Sequence, residues 1–348
     1  MILPGVDQHV VQPTAQRFGI VIPFFQRQPG LLRLAVESIL AQSVLTTQHC
    51  TIQIAIVDDS SPIPASQDLA GLTMPPGVDL ILHRQANGGA GAARNAAIAL
   101  LDGACGVVAF LDSDDVWSPD HLARALQALA VGAEFYFCDA VRGEAGGNND
   151  ASLNAEAPAW FRSALVPIQG EPDLYLYSGP TDMAIVSGLV PTTSTIVHRR
   201  QHYQTAHFPS RYFRFGEDQY YCLQFLGAQS RVAYSAAVEV HCGHGVNIFA
   251  GNATGSEGQR LCFIDEIAFR KDALASISLS PDATRHVKRK LTEAKRNVLK
   301  QGLWLARADR GHWLKRTLAA QPTLIYSLPA ALAAVLADRL RAPVRQEN

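Results

Sequence analysis

The sequence has little that would tie it to an oxidising compartment, a bilayer core or a nucleic acid. Its six cysteines, at positions 50, 105, 138, 222, 242 and 262, form no CxxC pair, so neither a zinc ribbon nor a redox motif is indicated. Cys105 and Cys138 border apolar runs, where free thiols behave as small hydrophobes, and a reducing cytoplasm is expected. His241, Cys242, His244 and Cys262 lack the second ligand pair that a zinc site needs. No uninterrupted apolar run reaches 18 residues, which gives no membrane-spanning helix. The first residues, MILPGVDQHVVQPTAQR, lack a basic start followed by an apolar run, so no secretory signal is expected there; residues 1–14 read as a loose arm. Thirty basic against thirty-one acidic residues leave a net charge of −1, so no global field favours nucleic acid and any recognition of anions must be local. The chain also has no GxxxxGK[ST] segment and therefore no P-loop.

What the first 140 residues do have is a regular alternation of apolar runs and Ala/Leu-rich stretches. Strands are expected at 18–23, 51–57, 79–83, 106–111 and 134–139, and helices at 30–42, 89–102 and 119–131. The strand runs are continuously β-branched rather than alternating, the pattern of strands buried on both faces in a mostly parallel sheet covered by helices. Residues 143–173 are rich in Gly, Asn, Ala and Pro and read as a long connection. A further strand-like run, TTSTIVHRR, spans 192–200, and helical spacing follows an acidic start at 213–229. From about 257 the chain turns helical, with a basic stretch HVKRKLTEAKRNVLK at 286–300 and an apolar end at 323–340.

In open α/β sheets, ligands bind beyond the carboxyl ends of the strands. Five successive strands here end in polar groups: FFQR, DDSS, RQANGG, DSDD and DA. The densest is FLDSDDVW, residues 110–117, with Asp112, Asp114 and Asp115 within four positions. Like charges this close repel and raise one another's pKa unless a positive group sits among them. Oxygen-only ligands at a strand end suit Mg²⁺ or Mn²⁺, which keep positions open for phosphate oxygens. Asp112 and Asp114, flanking Ser113, can reach one such ion together. The stretch GGAGAARN at 88–95 imitates a dinucleotide fingerprint, but it follows the third strand and lacks the last glycine.

Read in order, VIPFFQR, VDDSS, NGGAGAARN, FLDSDDVW, GEDQYY and HGVN resemble glycosyltransferase family 2, over about residues 18–250. The resemblance implies a GT-A fold: an α/β, mostly parallel, Rossmann-like sheet flanked by helices. It would occupy residues 15–250, with a nucleotide-binding half over 15–140, an acceptor half over 141–250, and a helical C-terminal extension over 251–348. It implies that Pro23, Phe24, Phe25 and Arg27 line one wall of the nucleotide's base pocket. Phe24 and Gln26 depart from the family's usual small residue and Asn. Asp59 would accept the imide N–H of uracil, since a carboxylate accepts and cannot donate, and Arg94 would help hold the base or ribose. Asp112 and Asp114 would form the DxD motif on Mg²⁺ or Mn²⁺, with Asp112 also reaching the ribose and His244 completing the metal or diphosphate site. Asp218 in GED would be the base, with Glu217 beside the acceptor.

The expectation is an inverting transferase that moves a monosaccharide from a nucleotide-diphosphate donor, UDP-linked, to a hydroxyl of a glycan or lipid-linked glycan acceptor in surface polysaccharide synthesis. It would be cytoplasmic, with a peripheral contact at the inner face of the membrane through the C-terminal helices. Two alternatives stand beside it: a sugar nucleotidyltransferase, and a catalytically inactive glycan- or nucleotide-binding protein.

Overall fold

The computed structural model describes residues 16–48, 50–142, 157–188, 192–202, 205–211, 214–243, 253–306 and 311–341. Among the described residues ten strands form one sheet: β1 Arg17–Phe24, β2 Thr51–Asp58, β3 Val78–Arg84, β4 Val107–Phe110, β5 Val116–Trp117, β6 Phe135–Arg142, β7 Leu165–Pro167, β8 Leu174–Tyr177, β9 Val197–Arg199 and β10 Val232–Cys242. Their order is β3-β2-β1-β4-β9-β6-β10-β8-β7, with β5 paired to β10. The strands β3, β2, β1 and β4 run parallel, as expected; β1, β2 and β4 are buried along almost their whole length, whereas β3, at the sheet edge, is largely exposed. Beyond them β9 lies antiparallel between β4 and β6, while β6 and β10 are again parallel. The expected strand at 192–200 shrinks to β9, because Thr193–Thr195 form a 3₁₀ turn that carries Ser194 toward the acidic strand end.

Strand alternation divides the side chains between two cores. Phe18, Ile20, Ile22 and Phe24 of β1 point into one core, with helices Leu31–Leu40 and His121–Ala130. Val21, Ala55, Val57, Val108 and Phe110 point into the other, against helices Ala90–Leu100 and Glu217–Leu223. Phe269, Ala273, Ala283 and Val287 of the C-terminal helices Glu257–Ser276 and Pro281–Leu305 join this second core, so the extension packs directly on the sheet's helical layer. A third, smaller core of Ile267, Ala294, Val298, Leu299, Trp313, Leu324 and Ala331 lies within the extension itself. All six cysteines are free; Cys105 and Cys138 are buried, as expected of small apolar side chains.

A buried polar network fixes the far side of the sheet. The register of β10 against β6 slips on both sides of Val238, and next to this irregularity Glu239 is 1% exposed. Its Oε1 accepts from Arg124 Nε at 2.8 Å, and its Oε2 accepts from the Tyr136 hydroxyl at 2.6 Å and lies 2.9 Å from His121 Nδ1. Burial alone would push the Glu239 carboxyl up, but these partners, His121 foremost, hold its pKa below the ordinary value. Ligand atoms of His121, Cys138 and Glu239 lie within 4.8 Å of one another, yet the cluster is a poor cation site. Arg124 already supplies the positive charge, and burial holds the Cys138 thiol well above its usual range and hence protonated.

Removing one partner of a buried charge network leaves the others uncompensated. Glu239→Ala is therefore expected to cost about 3–5 kcal/mol of stability in chemical denaturation. Unaltered stability of that variant would show that Glu239 does not hold β10 against the helix His121–Ala130.

Candidate active site

The parallel registers align the ends of the first strands: Phe24 sits beside Asp58, and Asp58 beside Arg84. The two acids of VDDSS divide the work. Asp58 Oδ1 accepts from the amide of Ser61 at 2.7 Å, and its Oδ2 from the amide of Ala65 at 3.1 Å and from Arg84 Nη1 at 3.0 Å, so it builds the turn. Asp59 holds the NGG loop: Oδ1 accepts from Gln85 Nε2 and the Gly88 amide, both at 2.8 Å, and Oδ2 from the Gly89 amide at 2.7 Å. A carboxylate has about four acceptor sites, so a uracil imide would have to use what these three donors leave.

The first strand end shows the same separation by face. Phe24 is 1% exposed and packed in the core, since its position in the pleat aligns it with Ile20 and Ile22. Its side chain is thus core rather than pocket wall. Pro23 is buried in β1, Phe25 is half-buried, and Arg27 is exposed with its guanidinium 6.0 Å from the Phe25 ring centre. Gln26, buried, ties this segment to the acidic turn: its amide donates to Ser61 Oγ at 2.9 Å and its Nε2 to Ser113 Oγ at 3.0 Å.

The positive group among the acids is Arg94. It projects from helix Ala90–Leu100 and is 4% exposed. Nη2 donates to Asp112 Oδ1 at 2.7 Å, Nη1 to Glu217 Oε1 at 2.6 Å, and the guanidinium lies 5.2 Å from the Phe208 ring centre. Burial works against the charge on Arg94, but the two carboxylates, Asp112 ahead of Glu217, outweigh it and raise its pKa. Both forks of Arg94 are thus engaged by carboxylates and not held out for a base or ribose. The bridge links FLDSDDVW with GEDQYY, 123 residues from Arg94 to Glu217 along the chain.

The three aspartates of the turn are not equivalent. The Asp112 side chain is 34% exposed, and Asp114 is partly exposed. Asp115 is 7% exposed and faces inward: it accepts from the Ser194 hydroxyl and, at 2.9 Å, from the Gly243 amide, while Ser194 Oγ accepts from the Asp112 amide at 2.9 Å. Burial, followed by repulsion from Asp112 and Asp114, pushes the Asp115 carboxyl up to about 7. Gly243 approaches so closely that a Cβ there would collide with the Asp114 carbonyl oxygen. Asp115 is thus a strut, and Asp112 with Asp114 form the accessible pair. Their hard oxygens fit Mg²⁺ or Mn²⁺, with Arg94 fixing one carboxylate in place. His244 lies outside the described residues.

GED opens helix Glu217–Leu223 at Gly216, whose φ is +80°. A Cβ there would come within 2.7 Å of Phe269, so the glycine lets the C-terminal helix press against the site. Burial raises the pKa of both Glu217 and Asp218; Arg94 is the chief opposing influence on Glu217, and the Gln219 amide on Asp218. Of the residues around the site, Ser194, Phe208 and Gly243 carried no sequence signal of their own. The fold alone brings them to the acidic turn and to Arg94.

A family model described as Glycosyl transferase family 2 matches residues 19–183. That segment is a glycosyltransferase family 2 domain. The matched span holds VDDSS, Arg94 and the acidic turn, while GED lies beyond it. The succinoglycan biosynthesis protein ExoW of Rhizobium meliloti is 40% identical over 130 residues, 37% of this chain and 39% of that protein. An uncharacterized glycosyltransferase of Nostoc is 42% identical over 99 residues, 28% of each chain. The match thus spans about two fifths or less of these relatives' length. Among solved structures, TarS of S. aureus superposes with a TM-score of 0.55 at 16% identity, over 92% of this chain and 83% of that one. TarS has also been solved with UDP-GlcNAc, matching at a TM-score of 0.55 and 18% identity over 92% of this chain and 82% of that one. This likeness establishes the GT-A fold, including its mostly parallel sheet and C-terminal helices.

Arg94→Ala is expected to cost about 3 kcal/mol, the scale for stripping a buried charge pair of one partner. Arg94→Lys should recover only part of this, because an ammonium cannot reproduce the two-pronged geometry. Denaturation midpoints of the two variants test the bridge, which is refuted if Arg94→Ala is as stable as the parent. Asp115 gives a pH test. Its folded pKa of about 7 lies above the unfolded value of 3.8, so the folded state binds the extra proton and stability should decline as pH rises from about 4 toward 7. With EDTA present, Asp115→Asn should lack this decline. Parallel pH profiles for the two proteins would remove Asp115 as its source.

Proposed function

We propose that the chain is an inverting, metal-assisted glycosyltransferase that moves a monosaccharide from a UDP-linked donor to a hydroxyl of a glycan or lipid-linked glycan in surface polysaccharide synthesis. The observation that carries this reading is the Arg94 bridge. It sets Asp112, of the partly exposed acid pair Asp112 and Asp114, on one side of the site and Glu217, next to Asp218, on the other. The relation to ExoW, whose name places it in succinoglycan biosynthesis, supports polysaccharide assembly as the setting.

In this reading Asp112 and Asp114 hold a divalent cation, which when bound neutralises the donor's diphosphate. Asp59, already anchoring the NGG loop, offers its remaining acceptor site to the uracil imide. Pro23, Phe25 and Arg27 stand at the strand end nearest the base, and Phe24 supports them from the core. As the acceptor oxygen forms its bond to the anomeric carbon, the bond from that carbon to the diphosphate oxygen breaks and Asp218 takes up the hydroxyl proton. Glu217 is committed to Arg94, leaving Asp218 as the carboxylate to serve as base. The raised pKa of Asp218 makes it a better proton acceptor than an ordinary aspartate.

Asp218→Asn should lower transfer by on the order of 10²-fold or more while leaving donor binding intact, since the amide keeps the shape and cannot take a proton. Glu217→Gln, which can still accept from Arg94, should lose less. The parent's rate should fall as pH drops through a pKa above that of an ordinary aspartate. The assay is release of nucleoside diphosphate with and without acceptor, alongside calorimetric donor binding. An active Asp218→Asn with an inactive Glu217→Gln reverses the assignment, and full activity in both removes the inverting mechanism. A sugar nucleotidyltransferase would instead form donor from nucleoside triphosphate, and an inactive binding protein would release nothing.

A further inference from the structure

Between Arg316 and Asp338 the chain carries no charged residue. The structure folds this stretch onto the extension as the end of helix His312–Ala320, a 3₁₀ turn at Pro322–Ser327 and helix Leu328–Arg341. Leu324, Ala331 and Val335 are buried, the first two within the core built on Val298, Leu299 and Trp313. The segment is thus a fitted part of the molecule. Its other side is the anomaly: Tyr326 is 85% exposed, Ile325 54% and Leu332 50%, and Pro329, Ala330 and Ala333 are exposed beside them. A helix face turned to water ordinarily carries charge, and large apolar side chains exposed in an uncharged segment mark an interaction site.

The charge of its surroundings selects the partner. Residues 281–341 hold thirteen Lys and Arg against four Asp and Glu, a net +9 in a chain whose total is −1, so the remainder carries −10. Lys288, Arg289, Arg296, Lys315 and Arg316 are exposed. Arg289 and Arg316 pair with Glu293 and Glu257, yet the excess of cations remains. Among the described residues no single helix is long and apolar enough to cross a membrane, and the two helical segments His312–Ala320 and Pro322–Val335 meet at 119°. An uncharged face with a tyrosine, bent sharply at its middle and held on a cationic helical layer, is suited to lie in the interfacial plane of an anionic bilayer.

We propose that the face carrying Ile325, Tyr326 and Leu332 docks the protein on anionic lipid, with the basic helix Pro281–Leu305 adding electrostatic attraction. The apolar face, rather than the basic helix alone, is the anchor. The test is flotation of the full chain with phosphatidylcholine vesicles, with and without a third of phosphatidylglycerol. The parent should float with the anionic vesicles, and the double variant Ile325→Asp, Leu332→Asp should partition about tenfold or more weakly, with circular dichroism and thermal midpoint unchanged. Lys288→Glu with Arg296→Glu should weaken binding to the anionic vesicles alone. The proposal is overturned if the parent fails to float at low salt, or if the double variant floats as well as the parent. It is equally overturned if light scattering shows the parent as a dimer that the double variant dissolves without any vesicle binding, because a second copy then covers the face.

Discussion

The site rests on one guanidinium. Asp112, Asp114 and Asp115 end a parallel strand, Glu217 and Asp218 open a helix more than a hundred residues later, and without a cation the two groups would drive each other apart. Arg94 is buried between them, with one nitrogen on Asp112 and another on Glu217. An arginine suits this position because it stays charged when buried and presents two parallel donors in a fixed plane. The separation of the Asp112 and Glu217 carboxylates follows from the width of that fork.

Other contacts keep the bridge where it is. Phe208 lies under the guanidinium, and its backbone exchanges hydrogen bonds of 2.8 Å with the Asn95 side chain on the same helix as Arg94. Ser194 and Asp115 brace the acidic turn from below, and Gly243 comes close enough to hold its carboxylate. On the far side, Glu239 secures the irregular strand that leads to Gly243. Phe269, from the C-terminal extension, presses on Gly216 at the start of GED. The extension therefore both supports the helix that GED opens and, through its outer face, presents an apolar surface to its surroundings.

The acid pairs show how identical residues acquire different tasks. Asp58 and Asp59 are neighbours, yet one builds a turn and the other holds a loop, because successive side chains at a strand end leave in different directions. Asp114 and Asp115 divide in the same way: one is partly exposed, the other buried against Ser194. Burial alone makes the second a poor ligand and a good strut.

Much of this was legible in the sequence. The continuous apolar runs specified parallel strands, and β1 to β4 lie within about two residues of where those runs end, although β3, at the sheet edge, is not buried. Polar residues after those runs marked the crevice, because a parallel sheet presents its strand ends on one edge. The crowding of FLDSDDVW announced that a positive group must be near. Which group, and at what cost to its other roles, only the tertiary structure decided. Arg94 and Glu217 meet across 123 residues, a distance over which no local periodicity carries information. The pleat sent Phe24 into the core although its sequence position is beside the pocket, and Ser194 reached the acidic turn through a 3₁₀ turn inside an expected strand. Local propensity and patterning are written in neighbouring residues; which side chains share a buried charge depends on how distant segments pack.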